Sequence, residues 1–371
     1  MNENHSKIVI VIGTKAELIK CMPIMLELQS QKKDYWFIHT GQHSLKDFCE
    51  KFKIKRPDFV LSPAPKKSSK FMSKITLGTF FWNIKTMLAI RGIIHRIKPK
   101  YVLYHGDTMN TAMAVGASSW VLNPLKKWKT VHLEAGLRSG SLSEPFPEEF
   151  IRRVADRFSD LLLAVSTLSE NNLRKEKVRG RILNVGNTVL DSAPIAYKMA
   201  GKRYQREKKK YALINIHRHE NLKDKERLKQ IVSIIKGIKI TALWPIHDNT
   251  MHFLKEYGLL KEIKEKNNIR ITPLVDYVHF IFLLANSEYL LTDGGSIQEE
   301  SLIFKKPCII LRKKTERPEG LSTGINFLTN LDVEKTKRII NNIEHNLYKV
   351  RKFKNPYGEI GLSKKIVEIL K

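Results

Sequence analysis

Glu134, Glu144 and Glu148 fall together with Arg138 and Arg152 in one stretch, VHLEAGLRSGSLSEPFPEEFIRR, residues 131–153. Carboxylates move protons and guanidinium groups neutralise anions, so this combination suits acid–base chemistry on an anionic ligand. The stretch opens as a β-type run, Lys129–Leu133, and breaks at Glu134-Ala135-Gly136. It then bends through Ser139–Ser143, passes Pro145 and Pro147, and enters a helix. Glu148 and Glu149 would suit the positive end of that helix dipole with no chemistry to perform. Glu134 is different, because it stands just past a strand's C-terminal end, where parallel α/β sheets present ligands.

Polar loops of the same kind close other apolar runs. Ile8–Ile12 runs into Gly13-Thr14-Lys15, which offers backbone N–H groups and a lysine at a helix start to phosphate oxygens. GTKAELIK is nevertheless no dinucleotide fingerprint. Tyr35–His39 leads to Thr40-Gly41-Gln42-His43, and Tyr101–Tyr104 to His105-Gly106-Asp107-Thr108. In the second half, Tyr211–Ile216 ends in His217-Arg218-His219-Glu220-Asn221, and Ile240–Trp244 is followed by a loop containing His247. Cys308–Leu311 is followed by Arg312 and Thr315–Glu319. Tyr289–Leu291 ends in Thr292-Asp293-Gly294-Gly295-Ser296, the best anion cradle of the chain. Its glycines admit close backbone approach, Ser296 is expected to cap the next helix, and that helix start is electropositive. Glu300, one turn further, can accept hydrogen bonds from ribose hydroxyls. The histidines match no zinc-ligand spacing, so no metal is expected. Phosphate contact or proton transfer suits His217 and His247 better, and His219 is the weakest of the three.

The elements that must position these loops alternate strand and helix along the whole chain. That rhythm predicts an α/β protein of two Rossmann-like, doubly wound domains facing a cleft. The expected boundaries are 1–186 and 187–350, with 351–371 forming a C-terminal helix that packs back on the first domain. The interdomain connection is expected between Gly186 and Lys210. A long amphipathic helix over Phe71–Ile97, stopped by Lys98-Pro99, is expected to dock on the core, a membrane surface being its alternative berth. Small residues over Thr111–Ser119 suit a closely packed helix.

The totals narrow the classes. At 371 residues the chain fits two domains, and its 42% hydrophobic content is globular. No run of about 18 or more apolar residues is present to span a bilayer. The N-terminal apolar run is too short for a secretory signal, so a cytoplasmic location is expected. Cys21, Cys49 and Cys308 are far apart, which argues against a disulfide framework. Lys+Arg 66 against Asp+Glu 37 gives +29, a field that attracts nucleic acid, anionic lipid or small anions. The basic residues are scattered, with no arginine-rich arm or interleaved aromatics, so no specific nucleic-acid partner is expected.

The motifs GTKAELIK, TGQH, HGDT, HLEAGLRSG, PFPEEFIRR, GNTVLDS, HRHEN, DGGSIQEE, KKTERPEG and NPYG occur in one order. In that order the chain resembles the non-hydrolysing UDP-N-acetylglucosamine 2-epimerases from Ile8 to its final helix. The resemblance implies the GT-B fold and a cofactor-independent isomerase that inverts C2 of UDP-N-acetylglucosamine (UDP-GlcNAc). The product would be UDP-N-acetylmannosamine (UDP-ManNAc), a precursor for surface polysaccharide or glycan. It implies acid–base roles for Asp107, Glu134 and Glu148, and diphosphate contacts for Lys15, Arg152 and His217. Gly294, Gly295, Ser296, Glu300 and Arg317 would hold the nucleotide, and Gln42, Arg218 and His247 match parts of an activator site. A homodimer is expected by resemblance alone.

The chain departs from the family in Lys15-Ala16 where Arg-Pro is usual, in Gly294-Gly295-Ser296 for Ser-Gly-Gly, and at Ile151 and His219. These departures suggest an outlying branch acting on a modified UDP-hexosamine. The competing readings are a hydrolysing epimerase, a GT-B glycosyltransferase using its basic charge and the Phe71–Ile97 helix at a membrane, and a nucleic-acid-binding protein.

Overall fold

The computed structural model describes residues 8–41, 44–61, 77–140 and 147–371. Gln42, Glu144, Pro145, the Ser141–Ser143 bend and the start of the Phe71–Ile97 helix lie outside them. The chain forms two compact units, Met1–Ser192 with Tyr357–Lys371, and Ala193–Pro356. The division falls inside a helix, Val189–Ala200, that runs on through Pro194 where an interdomain connection was expected.

The first unit is a seven-stranded parallel sheet. Its strands are β1 (Ile8–Ile12), β2 (Trp36–His39), β3 (Phe59–Val60), β4 (Tyr101–His105), β5 (Lys129–Ala135), β6 (Leu161–Ala164) and β7 (Arg181–Asn184). Their order is β3-β2-β1-β4-β5-β6-β7, so the winding reverses between β1 and β4. β1 and β4 are buried along their whole length, as continuous apolar runs covered on both faces must be. The helix Lys15–Ser30 starts in a capping box, with Thr14 accepting from the Glu17 amide and Glu17 reaching back to Thr14. The helix Leu77–Ile97 buries Trp82, Ile90 and Ile94 and leaves Phe80, Phe81 and Leu88 exposed. It lies on the helix Met109–Ser118, where a side chain at Gly116 would meet Met87 Sδ at 2.7 Å. The last helix, Leu362–Ile369, packs against Lys15–Ser30.

The second unit repeats the plan with β8 (Tyr211–Asn215), β9 (Thr241–Ile246), β10 (Ile269–Pro273), β11 (Tyr289–Thr292), β12 (Cys308–Ile310) and β13 (Asn326–Leu328). The order β10-β9-β8-β11-β12-β13 reverses between β8 and β11. Its core gathers Trp244, Tyr289, Leu291 and Ile309 with the apolar faces of the helices Lys225–Lys236 and Val333–Glu344. Both units are thus Rossmann-like, doubly wound sheets. Each has a reversal point outside whose strand C-termini ligands bind in this architecture.

All three cysteines are buried and free. Burial pushes the Cys49 thiol up to about 11 and the Cys308 thiol up to about 12, which makes them inert packing groups. Among the described residues no helix is long and apolar enough to cross a membrane.

Gly136 has a structural reason within EAGLR. Its φ is +85°, and an added Cβ would sit 2.3 Å from the Ser169 carbonyl oxygen. Gly140 has φ +74° with open space around it. Gly140→Ala is therefore expected to cost about 1–2 kcal/mol from backbone strain alone. Gly136→Ala should cost at least about 3 kcal/mol, because a backbone clash adds to the strain. Urea midpoints of the two variants check the ranking.

Candidate active site

Glu134 is the penultimate residue of β5 and lies in the left-handed region, at φ +70°, where the pairing with β6 slips between Leu133 and Ala135. A non-glycine residue there stores strain that its surroundings must hold. Three elements do so. Lys20, buried on the helix Lys15–Ser30, is ion-paired with Glu134 Oε1. Asn187 donates to the same oxygen at 3.1 Å, and His105 Nε2 of β4 lies 3.7 Å from Oε2. Asn187 is fixed in turn, its amide donating to the Tyr357 carbonyl at 2.9 Å while Gly186, at φ +89°, admits Tyr357 into contact. The GNT and NPYG motifs thus meet behind Glu134.

Asp107, half-exposed after β4, is ion-paired with the buried Arg152. Arg152 Nη1 also donates to Glu149 Oε2 at 2.6 Å, so its charge is engaged by protein carboxylates on both sides. Glu148, one turn before Arg152 on the helix Glu148–Phe158, sits half-buried at the electropositive first position. Glu149 is fully buried and also accepts from the Ser139 amide at 3.1 Å. From there an ion-pair chain runs through Arg153, Glu176 and Arg138 to Asp156. Arg138 belongs to this internal frame.

The loop after β1 corrects one expectation. Glu17 Oε2 accepts from the Gly13 and Thr14 amides at 2.6 and 3.0 Å, and Glu17 Oε1 accepts from the Thr108 hydroxyl. Those amides are therefore committed to Glu17 rather than presented to phosphate. Lys15 is exposed at the first helical position, whereas Lys20, inside the same motif, is the buried cation.

In the second unit the loops after β8 and β11 are tied together by Asp293. Its carboxylate accepts from the amides of His217 and Arg218 and from Asn221 Nδ2, each at 3.0 Å. His217 stacks on His247 at 4.7 Å between ring centres, and its Nδ1 is 3.1 Å from Asn215 Oδ1. Burial holds His217 below its ordinary value, against the opposing pull of Asp293, and burial does the same for His247. His217 is thus a neutral ring, able to accept a proton or a hydrogen bond near pH 7. His219 is exposed on its short helix, away from this stack.

A side chain at Gly294 would lie 3.4 Å from His217 Cε1, and one at Gly295 only 2.8 Å from Arg317 Nη1 and Glu316 Oε1. The two glycines let these loops approach each other. Ser296 departs from expectation: its backbone is already helical and its side chain makes no capping bond. Packing of the glycines on His217 and Arg317 governs this turn in place of a cap. Glu300 is buried beside the Tyr277 hydroxyl, whose ionisation is pushed far up by burial and then by Glu300. Arg317 is buried with Nη1 2.6 Å from Glu316 and Nε 3.1 Å from Glu299, and Arg218 reaches Glu316 at 3.4 Å.

A family model described as UDP-N-acetylglucosamine 2-epimerase matches residues 26–371. The UDP-N-acetylglucosamine 2-epimerase of Methanocaldococcus jannaschii is 35% identical over 98% of each chain. The chain belongs to the UDP-N-acetylglucosamine 2-epimerase family. A solved structure of a UDP-GlcNAc 2-epimerase from the same organism, in complex with UDP-GlcNAc and UDP, matches with a TM-score of 0.81. It is 34% identical and the match covers 98% of this chain and 99% of that one. A UDP-2,3-diacetamido-2,3-dideoxy-D-glucuronate 2-epimerase of Pseudomonas aeruginosa is 29% identical over 87% of this chain and 88% of its own.

In this member of the epimerase family, sequence reasoning missed Lys20, Asn187 and Glu17. Lys20 carried a signal: with Glu17, Cys21, Ile24 and Leu28 it falls on the inward stripe of its helix. The ion-pair frame yields a pH prediction. Hydrogen bonds from Arg138 hold Glu176 below the ordinary carboxylate range. Burial alone would raise Asp156, but the His132 and Arg138 charges outweigh it and hold that acid down as well. Both groups bind protons more weakly folded than unfolded, so their stabilisation is full above about pH 4 and is lost as pH falls through the depressed values. Urea unfolding free energy should therefore decline below about pH 4. Arg138→Leu should be less stable at neutral pH and decline less steeply. An unchanged slope would remove Arg138 from this account.

Proposed function

We propose that this protein is a UDP-N-acetylglucosamine 2-epimerase acting without a redox cofactor, by elimination and re-addition of UDP. The C2 proton of a glycosyl phosphate is not flanked by a carbonyl, so direct abstraction is very unfavourable. Breaking the C1–O bond solves this: the electron pair leaves with UDP, a carboxylate takes the C2 proton, and a C1=C2 double bond forms. UDP then adds back at C1 while a proton is delivered to the opposite face of C2, giving UDP-ManNAc.

The observation that carries this reading is Glu134, a buried carboxylate held in a strained conformation at a strand's C-terminal end by Lys20 and Asn187. Such over-determined groups cluster at functional sites. We assign acid–base work to Glu134, Asp107 and Glu148, with Arg152 orienting Asp107. Lys15 and the neutral His217 serve the diphosphate, and Gly294–Ser296, Glu300 and Arg317 form the nucleotide side. Arg218 and His247 would contribute to an activator contact. The relative acting on a diacetamido sugar supports a modified UDP-hexosamine as the second substrate reading. So does Lys15, which brings a point charge where the family has a guanidinium fork. We further read the protein as cytoplasmic, in keeping with its free buried thiols, and as a homodimer that would cover the exposed Phe80, Phe81 and Leu88.

Incubation with UDP-GlcNAc followed by anion-exchange chromatography tests the assignment. A mixture of UDP-GlcNAc and UDP-ManNAc is expected. Free N-acetylmannosamine plus UDP would make the protein a hydrolysing enzyme, and an unchanged substrate would favour the diacetamido sugar. Glu134→Gln, which keeps the shape of the side chain, should lower turnover by about 10²–10⁴-fold. Normal turnover in that variant would remove Glu134 from the mechanism.

A further inference from the structure

We infer that His132 is a positioning residue of this reaction, locking the turn that carries Asp107 to the strand that carries Glu134. The inference rests on the assignment of Asp107 and Glu134 above, and the geometry comes from β5. His132 is fully buried on β5, two residues before Glu134 and between the apolar Val131 and Leu133. Its Nε2 lies 2.8 Å from the Gly106 carbonyl oxygen and its Nδ1 lies 2.7 Å from Asp156 Oδ1. Gly106, at φ +70°, also donates its amide to the Leu133 carbonyl at 3.0 Å. The residue before Asp107 is thus held to β5 through both its amide and its carbonyl. Glu134 continues the same strand, so the distance between the two carboxylates is set by one rigid element.

The hydrogen bonding also fixes which way the ring faces. A carbonyl oxygen only accepts, so Nε2 must donate. Asp156 Oδ2 accepts from Arg138 Nη1 at 2.7 Å and from the Gly136 amide at 3.2 Å, which favours its ionised form. Oδ1 then faces Nδ1 as the ring's second anchor. Both ring nitrogens are thus engaged, Nε2 by Gly106 and Nδ1 by Asp156, so the ring cannot turn without giving up an anchor.

The test compares His132→Leu, which removes both ring nitrogens, with Asp156→Leu, which keeps much of the shape but removes the group that holds Nδ1. Catalytic geometry that slips by about an ångström costs on the order of 10²-fold. Both variants should therefore lose about 10–100-fold in kcat while KM for UDP-GlcNAc stays within about threefold. Folded variants with kcat within about twofold of the parent would overturn the inference, as would a loss confined to KM. Asp107→Asn is measured alongside: if it retains activity, the assignment of Asp107 fails, and not the clamp. Should either clamp variant fail to fold, ¹⁵N NMR of the unaltered protein decides. A proton on Nε2 of His132, held by the Gly106 carbonyl, is expected, and a bare Nε2 would contradict the clamp.

Discussion

One buried ion pair, Lys20 with Glu134, sits beside the point where the first unit's strand order reverses, and much of that unit is arranged to hold it. The ammonium comes from the helix after β1, and the carboxylate from a strand end with left-handed backbone and a broken register. Neither charge tolerates burial alone: losing one partner of such a pair costs about 3–5 kcal/mol. A buried pair adds little to net stability, however, so its presence marks a site whose geometry matters more than its contribution to folding. The chain spends further elements on it. Asn187 returns from a distant part of the sequence to reach one oxygen of Glu134, and the Tyr357 segment returns from farther still to hold Asn187.

The second constraint is the same in both units. Each reversal point is closed by a buried carboxylate that takes backbone amides as its donors. Glu17 binds the amides of Gly13 and Thr14 and the Thr108 hydroxyl, joining the loops after β1 and β4. Asp293 binds the amides of His217 and Arg218, joining the loops after β8 and β11. Anion-binding loops with free amides would be drawn to any phosphate. Loops whose amides are already committed leave recognition to side chains that can be placed one by one. Burial raises the Glu17 acid and its hydrogen bonds oppose that rise, a balance that ties its charge to the integrity of both loops.

Much of the fold was legible because strands buried on both faces must be apolar throughout. Ile8–Ile12 could be read to the residue. β3 and β13, two and three residues long, carry no period and became visible only through pairing with β2 and β12. The polar loops could be named as candidates because each follows such a run. Their internal bonding could not, since it depends on which side chain reaches which amide across the sheet. Ser296 shows the limit: a serine before a helix normally caps it, but here the close approach of Arg317 and His217 sets the turn. Lys15 and Lys20 show it again, for a motif names both lysines and only the helix period tells which one is buried. His132 carried no such pattern, standing between Val131 and Leu133 as one polar residue of a mixed strand. Its two acceptors belong to segments no local pattern connects.

The account's central claim is that a carboxylate at the end of β5 exchanges the C2 proton of a UDP-hexosamine during reversible loss of UDP. Proton NMR of UDP-GlcNAc incubated with the protein in D₂O tests it most directly. The account predicts UDP-ManNAc carrying deuterium at C2 and nowhere else on the sugar. Epimerised product that retains protium at C2, or deuterium appearing at other ring carbons, would contradict it.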